Sequence, residues 1–153
     1  RGRFPAGDGG SKNRYNSGVK RTNIPAGTSW EDVVGYSRAV RVGSHIHISG
    51  TVATDSTGAI VGFNDAYRQT KHILEKIETA LKAAGGSLKD VVRTRVYVTN
   101  MDHWQQVGKA HGEAFKSIRP ATTLVQIARL IDPQLLVEIE ADAIAADAGP
   151  KKT

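Results

Sequence analysis

The sequence predicts an α+β sandwich: a mixed β-sheet with two helices on one face, in the order β-β-α-β-α-β-β. Three observations carry this prediction. Residues 135–142 alternate strictly, with Leu135, Val137, Ile139 and Ala141 on one face and Leu136, Glu138, Glu140 and Asp142 on the other. That is the period of two of a half-buried strand. Residues 66–84 place Ala66, Thr70, Ile73, Leu74, Ile77, Leu81 and Ala84 at helical spacing, the stripe of a helix that buries one side. Residues 91–99 are a run of Val, Thr, Arg and Tyr, rich in β-branched and aromatic side chains that suit a pleated surface. Each helix has a single apolar stripe, so both belong on one layer against the sheet.

Taken in chain order, folding is expected to begin near Thr22. Residues 35–43 and 45–53 read as paired strands around a Gly43-Ser44 turn, with Ala39, Val42, Ile46 and Ile48 supplying apolar contacts. Residues 54–62 carry Asp55, Gly58 and Gly62 and read as a loop. Asn64 is the expected N-cap of the first helix, with Asp65 in its first turn. Lys71, Glu75, Glu78 and Lys82 form two i, i+4 pairs on the solvent side. Gly85-Gly86 is the stop signal. After the strand at 91–99, Asn100 or Asp102 caps a second helix whose stripe is Trp104, Val107, His111, Ala114, Phe115 and Ile118. Pro120 ends it and opens two strands joined by a short turn. Leu124, Ile127 and Leu130 are apolar in the first limb, and the alternating run is the second.

The chain has 153 residues, enough for one domain and one core. It has no cysteine, which excludes disulfides, a thiol nucleophile and thiolate metal sites. No apolar run approaches the roughly 20 residues that span a bilayer. The net charge of +6 sits at the ends. Arg1, Arg3, Lys12, Arg14, Lys20 and Arg21 face only Asp8, and Lys151 and Lys152 close the chain, leaving residues 22–147 at a net −1. Residues 1–21 therefore read as a disordered basic extension, 22–147 as the folded domain and 148–153 as a basic tail. Nucleic acid is not the expected partner, because the positive charge lies on tails rather than on a folded patch with interleaved aromatics. The cytoplasm is the expected location. Organelle import is the alternative, since the Arg-rich, acid-poor start has the composition of a transit remnant but no clear amphipathic stripe.

The stretch from Arg119 to Ala141 resembles the closing signature of the Rid (YjgF, enamine/imine deaminase) family: Pro-Ala-Arg, an apolar strand, then an apolar-Glu-Ile-Glu-Ala run. Gly35-Tyr36, Ile48-Ser-Gly50, Ala83-Ala-Gly85 and residues 90–98 match in order and spacing, so that the likeness covers residues 21–146. The resemblance implies a chorismate-mutase-like fold, a homotrimer with its sheets facing inward, three ligand clefts between subunits and no cofactor. The sheet face opposite the helices, expected to be an apolar surface of Val92, Val96 and the final strand, would be buried in that assembly.

In the archetypal deaminases the arginine of Pro-Ala-Arg holds the substrate carboxylate, and a glutamate on the last strand positions the attacking water. A tyrosine near the first strand and a backbone amide after the Ser-Gly turn complete the cleft. Carried over, the resemblance implies Glu138 as the catalytic group and Tyr36, Gly50 and Thr122 as substrate-binding positions. Thr122 stands where the arginine would be. One neutral hydroxyl replaces a rigid two-pronged cation, a loss of about 1.5–3 kcal/mol per charge-assisted contact. Arg41, Arg95 and Arg129 are the candidate substitutes, with pairing to Glu138 or Glu140 the structural alternative for Arg95. Three functions follow: a hydrolase of reactive imines or enamines, a non-catalytic metabolite- or partner-binding protein of the same family, and, less favoured, an RNA-directed translation inhibitor or ribonuclease. His45 and His47 have an H-x-H spacing but no third ligand nearby in sequence, so no metal is expected. His111 reads as a hydrogen-bonded core histidine. No phosphate-binding glycine loop and no nucleophile elbow occur.

Overall fold

The computed structural model describes residues 19–146. Of the expected disordered extension, residues 1–21, all but 19–21 lie outside the described residues, as does the expected basic tail at 148–153. Among the described residues the α-helices and strands follow in order: β1 (Arg21–Ile24), α1 (Trp30–Val34), β2 (Ala39–Val42), β3 (His45–Val52), α2 (Ala66–Ala83), β4 (Val91–Val98), α3 (Trp104–Phe115), β5 (Ala121–Gln126) and β6 (Val137–Ile144), with 3-10 turns at Leu88–Asp90 and Met101–His103. The six strands form one sheet in the order β1-β2-β3-β6-β4-β5. All pairings are antiparallel except β4 with β5. Among the described residues no helix is long and apolar enough to cross a membrane.

Several expectations shift. Strand β1 begins at Arg21, one residue before the expected onset of order, and pairs along β2. Residues 35–38 are not strand: Gly35 takes a left-handed φ of 73° and ends α1. The N-cap of α2 is Asp65, whose carboxylate accepts from the Arg68 amide at 2.8 Å, while Asn64 is a turn residue with φ of 53°. The stop of α2 is a Schellman closure, with Gly86 N–H donating to Leu81 O and Gly85 N–H to Lys82 O. Glu78 and Lys82 pair at 2.8 Å, but Lys71 reaches across to Glu113 on α3 at 3.3 Å instead of to Glu75.

The largest topological difference concerns residues 119–144. They do form two strands, but not a hairpin. Strand β5 lies at the sheet edge, parallel to β4, and β6 lies on the other side of β4 between it and β3. Residues 127–136 therefore cross over β4. Both ends of this crossover are fixed: Ile127 N–H donates to Val98 O at 2.9 Å, and the buried Gln69 side chain of α2 bonds Gln134 O and Leu136 N–H at 2.8 Å each.

Helix α2 packs on β3 and β6, and α3 packs on α2. The core between layers holds Ile46, Ile48, Ile73, Ile77, Leu81, Val96, Val98, Phe115, Val137 and Ile139. Trp104, expected on the buried stripe of α3, is 55% exposed; Val107 and Phe115 of that stripe are buried as expected, and Ala110 joins them. The opposite face of the sheet is not apolar as expected. Val96 is 1% exposed because it points into the helix layer, while Val92 is 44% exposed beside a bulge in β4. The open face is polar, built from His47, Arg95, Tyr97, Glu138, Glu140 and Asp142.

Candidate functional site

Strand β6 aims Glu138 at the open face because its neighbours Val137 and Ile139 are fully buried on the other. Glu138 is flanked by Val52 of β3 and Tyr97 of β4. Just beyond, β3 carries a bulge at Ser49–Gly50, where two residues face the single Glu140. A Cβ at Gly50 would collide with Glu138 Oε1, so only glycine lets the carboxylate lie against the backbone there. Among the described residues Glu138 accepts no hydrogen bond. Partial burial, and secondarily the charge of Glu140, raise its pKa above the ordinary carboxylate value; nearby Arg38 opposes this. The group is therefore a carboxylate more basic than usual, with its oxygens uncommitted.

Arg38 locks the bulge. It donates to Ser49 O at 3.3 Å, Gly50 O at 3.1 Å and Thr51 Oγ1 at 2.6 Å, and its guanidinium lies 5.8 Å from the Tyr36 ring centroid. Ser49 Oγ in turn donates to Ser37 O at 2.7 Å. Tyr36, Gly50 and Glu138 are thus linked through Arg38, a residue whose role no sequence pattern marked. The Tyr36 hydroxyl is 3.1 Å from Thr28 Oγ1.

Thr122 is not brought to this group. It pairs in register with Thr94, and the two hydroxyls are 3.0 Å apart on the helix side of the sheet. Thr94 is fully buried and also bonds His111 Nε2 at 3.0 Å, and Thr122 Oγ1 donates to Pro120 O at 3.1 Å. Within one chain Thr122 and Glu138 lie on opposite faces. Burial lowers the His111 pKa and holds the ring neutral, as expected of a satisfied core histidine.

Of the three candidate cations, two are committed elsewhere. Arg41 donates to the carbonyls of Gly43, Ala84, Gly85 and Ala146. Arg95 bridges Glu140 and Asp142, each at 3.2 Å, which answers its expected pairing with Glu140 and excludes one with Glu138. The network runs on: His47 Nδ1 lies 2.8 Å from Asp142 Oδ1, and the Tyr97 hydroxyl donates to Glu140 Oε1 at 3.0 Å. His45 and His47 stack with ring centroids 6.4 Å apart. Among the described residues no cluster of three or more potential metal ligands occurs.

The third cation stands in a cleft. Tyr97 and Glu138 form its floor, and Ile127, Arg129, Leu130 and Ile131 of the crossover form one side of an open, solvent-facing depression of about 530 Å³. That is within the range of small-molecule sites. The arrangement offers a basic carboxylate, a cation and apolar surface to one small ligand.

The family described as Endoribonuclease L-PSP matches residues 26–145. The chain is 46% identical to a Mycobacterium tuberculosis member of the YjgF/YER057c/UK114 family of solved structure, covering 82% of this chain and all of that one, with a TM-score of 0.75. It is 29% identical to YyfA of the conserved Rid family from Yersinia pestis, covering 82% of this chain and all of that one, with a TM-score of 0.73. It is 32% identical to the 3-aminoacrylate deaminase RutC of Acinetobacter baylyi, over 78% of this chain and 94% of that one. With the mixed six-stranded sheet and the helices α2 and α3 layered on it, these matches establish that the chain belongs to the Rid (YjgF) family and has its chorismate-mutase-like fold.

Proposed function

We propose that the protein is a homotrimeric hydrolase of reactive imines or enamines. Glu138 orients and deprotonates the water, and Tyr36 and the Gly50 amide help seat the substrate. The observation that carries this reading is the Glu138 carboxyl: partly buried, raised in pKa, pressed against Gly50 and accepting no hydrogen bond among the described residues. A general base works best when its pKa approaches the working pH. Water adds to the C=N carbon, its proton passes by way of Glu138 to the nitrogen, and the carbinolamine collapses to a carbonyl compound and ammonia. The deaminase relative supports this class of C–N cleavage, because its name specifies an enamine that carries a carboxylate. The separation of Thr122 from Glu138 within one chain favours a cleft completed between copies, where the β5 edge of one protomer approaches the open face of another.

The placement of Thr122 favours a second reading, a non-catalytic protein that binds a metabolite in the same cleft. Its hydroxyl is spent on Thr94 and Pro120 rather than on a ligand. The RNA-directed reading, which the family's description also names, fits less well, because Glu138, Glu140 and Asp142 make the cleft face acidic as well as basic. The test is ammonia release from imines formed in situ from several amino acids by an amino-acid oxidase. Release faster than the uncatalysed rate and abolished in Glu138→Gln supports the hydrolase. Saturable ligand binding without release supports the binder. Light scattering is expected to give three times the chain mass.

A further inference from the structure

We infer that Arg129 is the carboxylate anchor of this cleft and takes the place of the arginine that Thr122 replaces. The inference rests on the small-molecule cleft proposed above but not on catalysis within it. Three observations carry it. Arg129 is the one cation among the residues that line the cleft, where it stands with Glu138 and Tyr97. Arg41 and Arg95 are removed from contention by their four carbonyls and two carboxylates. Arg129 itself forms no ion pair among the described residues.

The ends of its segment are tethered. The crossover that carries it is tied to Val98 at one end and to Gln69 at the other. Arg129 therefore lies two residues past one tether and five before the other. A guanidinium grips a carboxylate through two parallel N–H donors and keeps its charge at any working pH. It also offsets the repulsion that Glu138 and Glu140 would exert on an anionic ligand. Ile127 and Leu130, both partly buried, offer apolar surface beside it. The ligand class is a small carboxylic acid with an apolar, branched or short aliphatic substituent.

The test separates binding from turnover. The intact protein is titrated with 3-methylbutanoate and with the matching amide, followed by calorimetry or by NMR shifts. The wild type is expected to bind the acid at least about tenfold more tightly than the amide, the scale of one charge-assisted contact. Arg129→Gln should erase that preference, while Arg129→Lys keeps part of it. On imines bearing a carboxylate, Arg129→Gln should raise KM about tenfold or more with kcat within about threefold. A wild type that binds the acid but releases no ammonia would overturn the hydrolase reading and leave the anchor standing. A wild type that does not prefer the acid, or an Arg129→Gln protein that prefers it equally, overturns the anchor.

Discussion

The two faces of one sheet use the same strands for opposite ends. The helix-side face presents Ile46, Ile48, Val96, Val98, Val137 and Ile139, all buried and packed against α2 and α3. The open face presents His47, Asp142, Arg95, Glu140, Tyr97 and Glu138, five of them joined by ion pairs or hydrogen bonds. The sixth, Glu138, is left out of the chain. Alternation along β6, and along β4 past its bulge, makes this possible, since each residue that stabilises the fold is followed by one on the open face. The contrast teaches that the polar residues of β6 are not a solvated surface at random. Five are held in one network of ion pairs and hydrogen bonds, and the one that remains uncommitted stands in the cleft.

The strongest way to break this contrast is to neutralise Glu138. Glu138→Gln is expected to lower imine hydrolysis by about 100- to 10,000-fold, the range for a positioned general base, measured as ammonia release. The same change should raise thermal stability at pH 8. The folded-state pKa of Glu138 is raised, chiefly by burial, so the folded protein holds this proton more tightly than the unfolded chain does. Stability contributed by the protonated carboxyl is lost as pH rises through that raised value. Glutamine removes the loss, so the two proteins should converge below about pH 4, where the wild-type carboxyl is protonated in both states. Equal melting temperatures at pH 8 would mean that the carboxylate is well solvated. The acid limb of the activity profile should likewise lie above the ordinary carboxylate range.

On the other face the expected effect is on folding alone. Ile139→Ala should cost about 2–5 kcal/mol, because Ile139 is fully buried beside Val96. Arg95→Gln, one strand away on the open face, should shift a denaturation midpoint by only a small fraction of that, as partly exposed ion pairs do. Urea unfolding of both variants compares the faces directly. A larger loss from Arg95→Gln would mean that the polar network, not the core, sets stability.

The alternation of β6, the stripe of α2 and the β-prone run of β4 were legible because each is a local periodicity. What stayed hidden is non-local. Residues 119–144 read as a hairpin because two strands followed one another, and nothing in the spacing reveals that β6 inserts between β3 and β4. The same blindness put Val96 on the open face, since a bulge between Val91 and Arg93 resets the alternation. Of the candidate site, Glu138 and Gly50 were legible through the resemblance and are adjacent in space. Thr122 was named by the same route, yet its hydroxyl turns to the helix side. Arg38 went unmarked because it acts on backbone carbonyls of a bulge, which carry no sequence signature. Arg129 could be named among three cations, but only its neighbours in space separate it from the other two.

A smaller effect joins the helix face to pH. Burial lowers the pKa of His111 from its usual 6.5, so the neutral ring is favoured in the folded protein and protonation favours the unfolded chain. The stability carried by this histidine is present above about pH 6.5, the unfolded value, and is lost as pH falls from there through the lowered folded-state value. His111→Gln should therefore weaken the fall in melting temperature between pH 7 and pH 5. An unchanged fall would assign the acid sensitivity elsewhere.

The smallest expected effect joins the two faces. Thr122→Arg restores the family's arginine at a position whose side chain, within one chain, points away from Glu138. It breaks the bond to Thr94 at a cost of about 1 kcal/mol, although Thr94 keeps His111. If clefts are completed between copies, the new arginine of one protomer can reach the ligand beside Glu138 of another. With Arg129 already holding the carboxylate, the gain in kcat/KM should stay within about threefold. In the Arg129→Gln background the same substitution should recover much of the roughly tenfold loss, because one cation then stands in for the other. Rescue in the double variant together with near-silence in the single one is the signature of two arginines competing for one carboxylate. A large gain from Thr122→Arg alone would mean that the wild-type cleft lacks an anchor. No rescue in a folded double variant would mean that the β5 edge does not meet the open face of a second copy.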